Sequence, residues 1–177
     1  NVFGGGELPF LSNLIHREIL NNKELDAIEN NDLKNLLEII QEEYISKISK
    51  IDSSSKAFID KAPLNFKYIG FIKKIFPDSK IINCNRDPID ICWSNYKNFF
   101  SGTLHFSNNL NNLASYYSLY QNYIKFWKEL FPDEIYNIIY ENLVKNPKEE
   151  IKNLLNFCDL EWEESCLKHE NNPKSIK

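Results

Sequence analysis

The residues best suited to binding an anion are Arg86 and Ser94. Arg86 lies where a buried strand, residues 80–84, gives way to a helix that Asp87 can cap. A planar guanidinium binds a phosphate through two parallel hydrogen bonds, which an ammonium cannot do. Ser94, about two turns into the helix, can donate its hydroxyl to the same anion. The alternative is that Arg86 pairs with Asp87 or Asp90 and that Ser94 is an ordinary helix residue.

Two further strand ends carry charged side chains. Lys61 follows a short buried strand, residues 57–59, and precedes a proline turn, so its ammonium can point beyond the strand. Glu7 follows three glycines, residues 4–6, that allow close approach of the backbone, and its carboxylate is a candidate general base. The alternatives are a surface lysine and a solvated carboxylate on a flexible N-terminal tail.

Aromatic residues and histidines give weaker indications. Tyr140 ends a third strand, where its ring can pack on a ligand or fill the core. His105 lies in a loop and can face a substrate, whereas His16 and His169 have no partner pattern. We interpret each histidine as structural or surface-exposed. The sequence contains neither a Ser/His/Asp arrangement nor the phosphate-loop motif G-x-x-x-x-G-K-[ST].

An alternation of strands and helices must position these residues. Apolar periodicity predicts helices over residues 31–50, 66–76, 88–99, 109–130 and 147–157, and strands over residues 57–59, 80–84 and 135–140. Val2 and Phe3 predict a strand end that runs into a glycine loop, and residues 101–103 (Ser-Gly-Thr) end the predicted helix over residues 88–99. We predict a single α/β domain, a three-layer sandwich with a mainly parallel sheet. Ligands bind beyond the carboxyl ends of such strands, where the charged residues lie.

The composition excludes several broad classes. The chain has 177 residues, a formal net charge of −4 and a pI near 5.5, which argues against a general nucleic-acid binder, since such proteins carry basic faces. No run approaches the ~20 apolar residues of a membrane-spanning helix, and no signal peptide is indicated. Four cysteines without a C-x-x-C pair indicate neither a zinc site nor a disulfide framework. We expect a cytoplasmic protein without a metal, nucleic-acid or membrane partner.

The basic residues are almost all lysines. Of 21 basic residues, two are arginines, Arg17 and Arg86. With abundant Asn and Ile, this bias is typical of an AT-rich genome in which lysine replaces arginine wherever chemistry permits. Arg86 is therefore a residue whose role needs an explanation. The chain also lacks methionine, even at position 1, which indicates a fragment of a longer protein.

Taken together, the strand ends resemble the sulfotransferase superfamily. The resemblance is to the bacterial sulfotransferases often fused to tetratricopeptide repeats and, more distantly, to the tyrosylprotein sulfotransferases. Four ordered segments carry it: residues 4–9 (Gly-Gly-Gly-Glu-Leu-Pro), 60–66 (Asp-Lys-Ala-Pro-Leu-Asn-Phe), 85–88 (Asn-Arg-Asp-Pro) with Ser94, and 140–147 (Tyr-Glu-Asn-Leu-Val-Lys-Asn-Pro). Ala62 stands where the family usually has methionine. Four motifs in order are far more specific than any one alone.

The resemblance implies a P-loop-like α/β fold that transfers a sulfuryl group from 3′-phosphoadenosine-5′-phosphosulfate (PAPS) without a metal. Arg86 and Ser94 would hold the 3′-phosphate of the donor, and Tyr140 would lie on the nucleotide side. Glu7 would be the base that deprotonates the acceptor, and Lys61 would neutralise charge on the sulfuryl oxygens. The acceptor would be a hydroxyl or amine group of a small molecule or a peptide.

One expected element of the family is missing from the sequence. A first strand and a glycine-rich loop of the type P-R-S-G-T-T, which bind the 5′-phosphosulfate, should precede Asn1. We therefore expect a fragment cut at both ends that is inactive or weakly active by itself. The alternatives are a non-catalytic sulfotransferase-like module that binds nucleotides or proteins and, more remotely, a nucleotide kinase. The acceptor and the oligomeric state are not predicted.

Overall fold

The computed structural model describes residues 2–21, 30–98, 100 and 104–168. The chain divides into two compact units, Asn1–Ser79 (unit 1) and Lys80–Lys177 (unit 2). Each unit contains one pair of parallel strands with helices around it. Within the described ranges, no helix combines the length and the apolar character needed to span a membrane.

Unit 1 is built on the parallel strands β1 (Val2–Gly6) and β2 (Ala57–Asp60). Its helical elements, in chain order, are α1 (Phe10–Ile15), a π-helical turn (His16–Leu20), α2 (Asn30–Ser49), a 3₁₀ helix (Pro63–Tyr68) and α3 (Ile69–Ile75). Gly6 pairs with Asp60, so the two strands end side by side. The residues that follow these strands are therefore neighbours.

The core of unit 1 forms where α1, α2 and α3 pack together. Ile15, Ile19 and Ile40 are at most 1% exposed, and burying each such side chain contributes about 1.5–3 kcal/mol. The other buried members of this cluster are Leu11, Leu14, Tyr44, Tyr68 and Ile75. This apolar cluster joins the three helices, and its member Tyr44 is hydrogen-bonded to Asp60 at the end of β2.

Unit 2 is built on the parallel strands β3 (Ile81–Asn85) and β4 (Ile135–Ile139). Its helical elements are α4 (Pro88–Lys97), a 3₁₀ helix (His105–Asn108), α5 (Leu110–Leu130), α6 (Tyr140–Lys145), α7 (Pro147–Phe157) and a 3₁₀ helix (Glu164–Leu167). Side-chain caps begin α4 and α5: Asp87 accepts hydrogen bonds from the first turn of α4, and Asn109 from that of α5. In α4, Pro88 occupies the first helical position, as its fixed φ favours.

Most of the sequence predictions for the fold are confirmed. The α/β class with parallel strands is observed, and the predicted strands and the four predicted helices over residues 31–50, 88–99, 109–130 and 147–157 each match an element within a few residues. The predicted helix over residues 66–76 begins earlier, as a 3₁₀ helix, and becomes α-helical at Ile69. The expected helix end at residues 101–103 lies outside the described residues.

Two predictions at strand ends are wrong. The glycines at positions 4–6 are not a loop but the second half of β1, because this segment pairs with β2 and the Phe3 ring stacks on Phe58 with ring centroids 5.6 Å apart. Tyr140 does not end β4 but begins α6, which ends at Lys145. Pro147 explains that end, since the residue before a proline disfavours helical backbone.

Candidate functional site

The strand ends of unit 1 bring Glu7 and Lys61 together. The Lys61 backbone N–H donates to the Gly6 carbonyl at 2.9 Å, which extends the β1–β2 pairing by one bond. The side chains, one residue beyond each strand, form an ion pair between Lys61 Nζ and Glu7 Oε1. Both side chains are about three-fifths exposed, at 61% and 63% respectively. A carboxylate and an ammonium thus stand in contact with each other and with solvent.

Two of the three glycines before Glu7 are required by the structure. A Cβ at Gly5 would lie 2.4 Å from Cζ of Phe58, which is closer than real Cβ atoms approach. Gly6 has φ of 76°, in the left-handed region that favours glycine. A Cβ at Gly4 would meet no atom of the described residues within 4 Å. The glycine run therefore lets β1 lie against Phe58 and turn toward Glu7.

The strand ends of unit 2 bring Arg86 and Tyr140 together. The register places Asn85 opposite Ile139, so the residues that follow them are neighbours. The guanidinium carbon of Arg86 lies 4.9 Å from the centre of the Tyr140 ring, a distance at which a cation is attracted to the ring face. Arg86 Nη2 also donates to Asp90 Oδ2 at 2.8 Å. Asp90, Tyr140 and Glu141 together raise the pKa of Arg86, the Asp90 hydrogen bond being the largest cause.

The start of α4 is held to β4's end by Glu141. The Asp87 backbone N–H donates to Glu141 Oε1 at 2.9 Å, and the Asp87 side chain accepts from the backbone N–H groups of Ile89 and Asp90 at 2.9 and 3.2 Å. Two carboxylates therefore satisfy N–H groups at this helix start, as the positive end of a helix dipole favours. The capping role of Asp87 was predicted from the sequence and is confirmed, whereas the contact of Glu141 was not predicted.

Ser94 lies on α4, four residues after Asp90, and is exposed. It therefore shares a helix face with the partner of Arg86. The ion pair between Arg86 and Asp90, which the sequence left as an alternative, is present in the structure. His105 is exposed in a 3₁₀ helix, and His16 shares a 2.8 Å hydrogen bond with the Tyr68 hydroxyl. His169 lies outside the described residues.

A polar network inside unit 2 supports the strand end before Arg86. Asn83 Nδ2 donates to Asn137 Oδ1 at 2.9 Å. The Tyr120 hydroxyl, from α5, lies 2.7 Å from Asn83 Oδ1 and 3.1 Å from Asn85 Oδ1. This network was not predicted from the sequence. The i, i+2 spacing of Asn83 and Asn85, which puts both on one face of a strand, was the signal available.

The two strand-end pairs are suited to different chemistry. Arg86 over Tyr140 offers guanidinium N–H groups for an anion beside the face of a ring, which fits a phosphorylated aromatic ligand. Glu7 beside Lys61 offers a proton acceptor and a cation that stabilises negative charge. Each pair lies within one unit. Within the described residues, no group of three or more His, Cys, Asp or Glu side chains is arranged to hold a metal ion.

Comparison with known proteins identifies a family. The family model described as "Sulfotransferase family" matches residues 10–164. An uncharacterised protein of Aquifex aeolicus (strain VF5) is 33% identical over 187 aligned residues, which cover 99% of this chain and 24% of that protein. The chain thus spans about a quarter of the length of this relative.

A solved structure shares the fold. The sulfotransferase domain from the curacin biosynthetic pathway matches with a TM-score of 0.57 and 17% sequence identity, over 92% of this chain and 59% of that domain's chain. At this identity the likeness concerns the fold alone. It agrees with the predicted α/β fold with parallel strands.

Proposed function

Since the chain belongs to the sulfotransferase family, we propose that the intact protein transfers a sulfuryl group from PAPS to a hydroxyl or amine group of a small molecule or a peptide. The single observation that carries the proposal is the Arg86–Tyr140 pair at the carboxyl ends of β3 and β4. This position is where parallel sheets bind nucleotides. PAPS combines a purine ring with a 3′-phosphate, and the pair offers a ring face and a guanidinium.

Arg86 would bind the 3′-phosphate with N–H groups beyond the one that Asp90 accepts. A guanidinium has five N–H donors, and the Arg86 side chain is 42% exposed, so an incoming phosphate can reach it. Ser94 would add a hydroxyl from α4, one turn beyond Asp90. Tyr140, which is 48% exposed, would contact the nucleotide while its ring orients the Arg86 guanidinium. Support comes from this geometry together with the family assignment.

Glu7 and Lys61 would serve the transfer itself. The S–O bond to the 5′-phosphate breaks as a new S–O bond to the acceptor oxygen or an S–N bond to its nitrogen forms, and the acceptor proton passes to Glu7. Negative charge on the sulfuryl and leaving oxygens would be stabilised by the Lys61 ammonium. Positioning and cationic stabilisation dominate related phosphoryl transfers, which is why one carboxylate and one ammonium are an adequate set.

The nucleotide half of the proposal is tested by calorimetric titration of the chain with 3′-phosphoadenosine-5′-phosphate, the desulfated product. Loss of charge-assisted hydrogen bonds should make Arg86→Ala bind about 10- to 100-fold more weakly. The matched control is Arg17→Ala, which removes the other arginine, an exposed partner of Glu43, and should bind as wild type does. Equal affinity of wild type and Arg86→Ala would overturn the assignment of Arg86, as would the absence of any binding.

Turnover distinguishes an enzyme from a binding module. Incubation of the intact protein with PAPS and a panel of phenols, alcohols and amines, followed by mass spectrometry, should show an acceptor heavier by one sulfuryl group. Nucleotide binding without transfer to any acceptor would instead favour the non-catalytic module. The control reaction contains 3′-phosphoadenosine-5′-phosphate in place of PAPS.

A further inference from the structure

Asp60 is a carboxylate that the proposed transfer does not use. It is the last residue of β2, immediately before Lys61. Its Oδ2 accepts a hydrogen bond from the Tyr44 hydroxyl at 2.9 Å. Its Oδ1 is buried and makes no hydrogen bond of ordinary geometry among the described residues, although the Leu8 backbone N–H lies close enough to the carboxylate to offset part of the rise in its pKa that burial causes. Buried polar atoms are rarely left unpaired, so this carboxylate calls for an explanation.

Tyr44 is a fixed anchor for that carboxylate. It lies on α2, is 7% exposed and belongs to the apolar cluster of unit 1. Its ring packs against Phe76 with centroids 5.3 Å apart. Burial, with the nearby Asp60 carboxylate, raises the pKa of Tyr44, so the hydroxyl stays protonated and donates. A rigid donor therefore meets the last side chain of β2.

We infer that Asp60 and Tyr44 are positioning residues for the Glu7–Lys61 ion pair, a role that rests on the proposed function of that pair. The bond to Tyr44 ties the carboxyl end of β2 to the core of unit 1. Gly6 pairs with Asp60, and the next backbone bond joins Lys61 to Gly6. A displacement of Asp60 is therefore passed to both strand ends from which the charged side chains project.

The unpaired Oδ1 makes this link sensitive to loss of the Tyr44 hydroxyl. Tyr44→Phe leaves the buried carboxylate without the donor to Oδ2, and such a group rotates toward water or is protonated. Either response loosens the end of β2. Asp60→Asn keeps an oxygen that can accept from Tyr44, so the conservative change preserves the link, whereas Asp60→Ala removes it.

The test is competitive acetylation of the full chain with trace acetic anhydride, read out by mass spectrometry as the ratio of Lys61 to Lys56, an exposed lysine of the same unit. Glu7→Gln defines the ratio for a broken ion pair, expected to rise roughly 2- to 5-fold because an exposed pair contributes little. Tyr44→Phe and Asp60→Ala should reach that ratio, and Asp60→Asn should stay near wild type.

The matched control is Tyr68→Phe, which removes another hydroxyl from the same apolar cluster, one that contacts His16. It should leave the Lys61 ratio unchanged. A rise in Tyr68→Phe equal to that in Tyr44→Phe would overturn the inference, since general loosening would then explain both. An unchanged ratio in Tyr44→Phe would overturn it as well.

Acetylation does not depend on turnover, so the Tyr44–Asp60 link and the catalytic role of the Glu7–Lys61 pair can be refuted independently. With PAPS and an acceptor, Tyr44→Phe should lower kcat and leave KM for PAPS unchanged. A changed Lys61 ratio with unchanged kcat would show that the link exists while the catalytic role of Glu7 and Lys61 is wrong. An unchanged ratio with normal effects of Glu7→Gln on kcat would refute the link alone.

Discussion

The two units support their strand ends by different means. In unit 1, the buried residues form an apolar cluster, and one tyrosine–aspartate bond connects that cluster to the strand end. In unit 2, asparagine side chains from both strands and a tyrosine from α5 form a hydrogen-bonded network just before Arg86. Among the described residues, unit 2 also exposes more large apolar side chains, Trp93 and Ile89 among them.

Because of this difference, apolar packing mainly stabilises unit 1, whereas hydrogen bonds mainly fix the position of the strand end in unit 2. Apolar packing is non-directional and scales with buried area, so unit 1 can tolerate small shifts of its strands without losing its core. Hydrogen bonds depend on distance and angle, so the network of unit 2 specifies where β3 ends. Substitutions in the two units should therefore differ in their effects on stability and on the positions of the strand ends.

The first prediction concerns which unit controls turnover. Glu7→Gln removes the proposed proton acceptor and should lower kcat by about 10²- to 10⁴-fold, with unchanged affinity for 3′-phosphoadenosine-5′-phosphate. Steady-state kinetics and calorimetry measure the two quantities. Glu43→Gln, which alters another ion-paired carboxylate of unit 1, is the control and should retain kcat. Weaker nucleotide binding with normal kcat in Glu7→Gln would reverse the roles of the two units.

The second prediction tests the apolar support of unit 1. Ile40 is fully buried in the cluster, so Ile40→Ala should lower the free energy of unfolding by about 2–5 kcal/mol, measured by urea denaturation. Its neighbour on α2, Ile39, is 46% exposed, and Ile39→Ala should change that free energy by about 0.5 kcal/mol or less. Similar losses in both variants would contradict the assigned core.

The third prediction tests the network of unit 2. Tyr120→Phe leaves Asn83, which is 9% exposed, without that hydroxyl and should cost about 1–2 kcal/mol of stability. Because the network precedes Arg86, nucleotide affinity should also fall. Tyr117→Phe, which removes a hydroxyl bonded to Gln121 on the same helix, should leave affinity intact. Unchanged stability and affinity in Tyr120→Phe would show that the network does not position β3.

The fourth and smallest effect is a pH dependence in unit 1. Burial raises the pKa of Asp60, so the fold favours the protonated form, and wild type loses stability as pH rises from the usual aspartate value of about 4. The difference in Tm between Asp60→Asn and wild type, measured by calorimetry, should therefore shift in favour of Asp60→Asn over that rise.

The pKa of Glu43 is shifted in the opposite direction to that of Asp60. The hydrogen bond from Arg17 lowers the pKa of Glu43, so its contribution to stability is present above the usual glutamate pKa and is lost as pH falls through the lowered value. In Glu43→Gln, the Tm deficit relative to wild type should shrink as pH falls. A Tm difference for Asp60→Asn that follows this trend instead would contradict the raised pKa.

Local signals were sufficient for most of the fold. Asp87 before Pro88 marked the start of α4 to the residue, since a side-chain cap and a fixed φ are both properties of the local sequence. The charged candidates at strand ends were found for a similar reason, because parallel strands bring their carboxyl ends together. The Glu7–Lys61 and Arg86–Tyr140 contacts follow from that rule.

The partners that define each site depended on register and packing. Glu141 contacts the Asp87 backbone because Asn85 lies opposite Ile139, and no local pattern specifies that register. Tyr44 reaches Asp60 from α2 only because the helix packs with a particular rotation. Tyr120 lies on a helix that was predicted, but apolar periodicity does not predict its hydrogen bonds to two asparagines. Long-range pairing therefore limited the prediction.

The glycine run of β1 has a consequence for searching genomes. Gly5 is excluded from carrying a side chain by the Phe58 ring, and Gly6 by its backbone angle, whereas Gly4 meets neither restriction. A search pattern that demands three glycines therefore asks for more than this backbone requires at the first position. A pattern of two glycines and a glutamate, paired with an aromatic residue three positions before the lysine, describes the same architecture with fewer lost sequences.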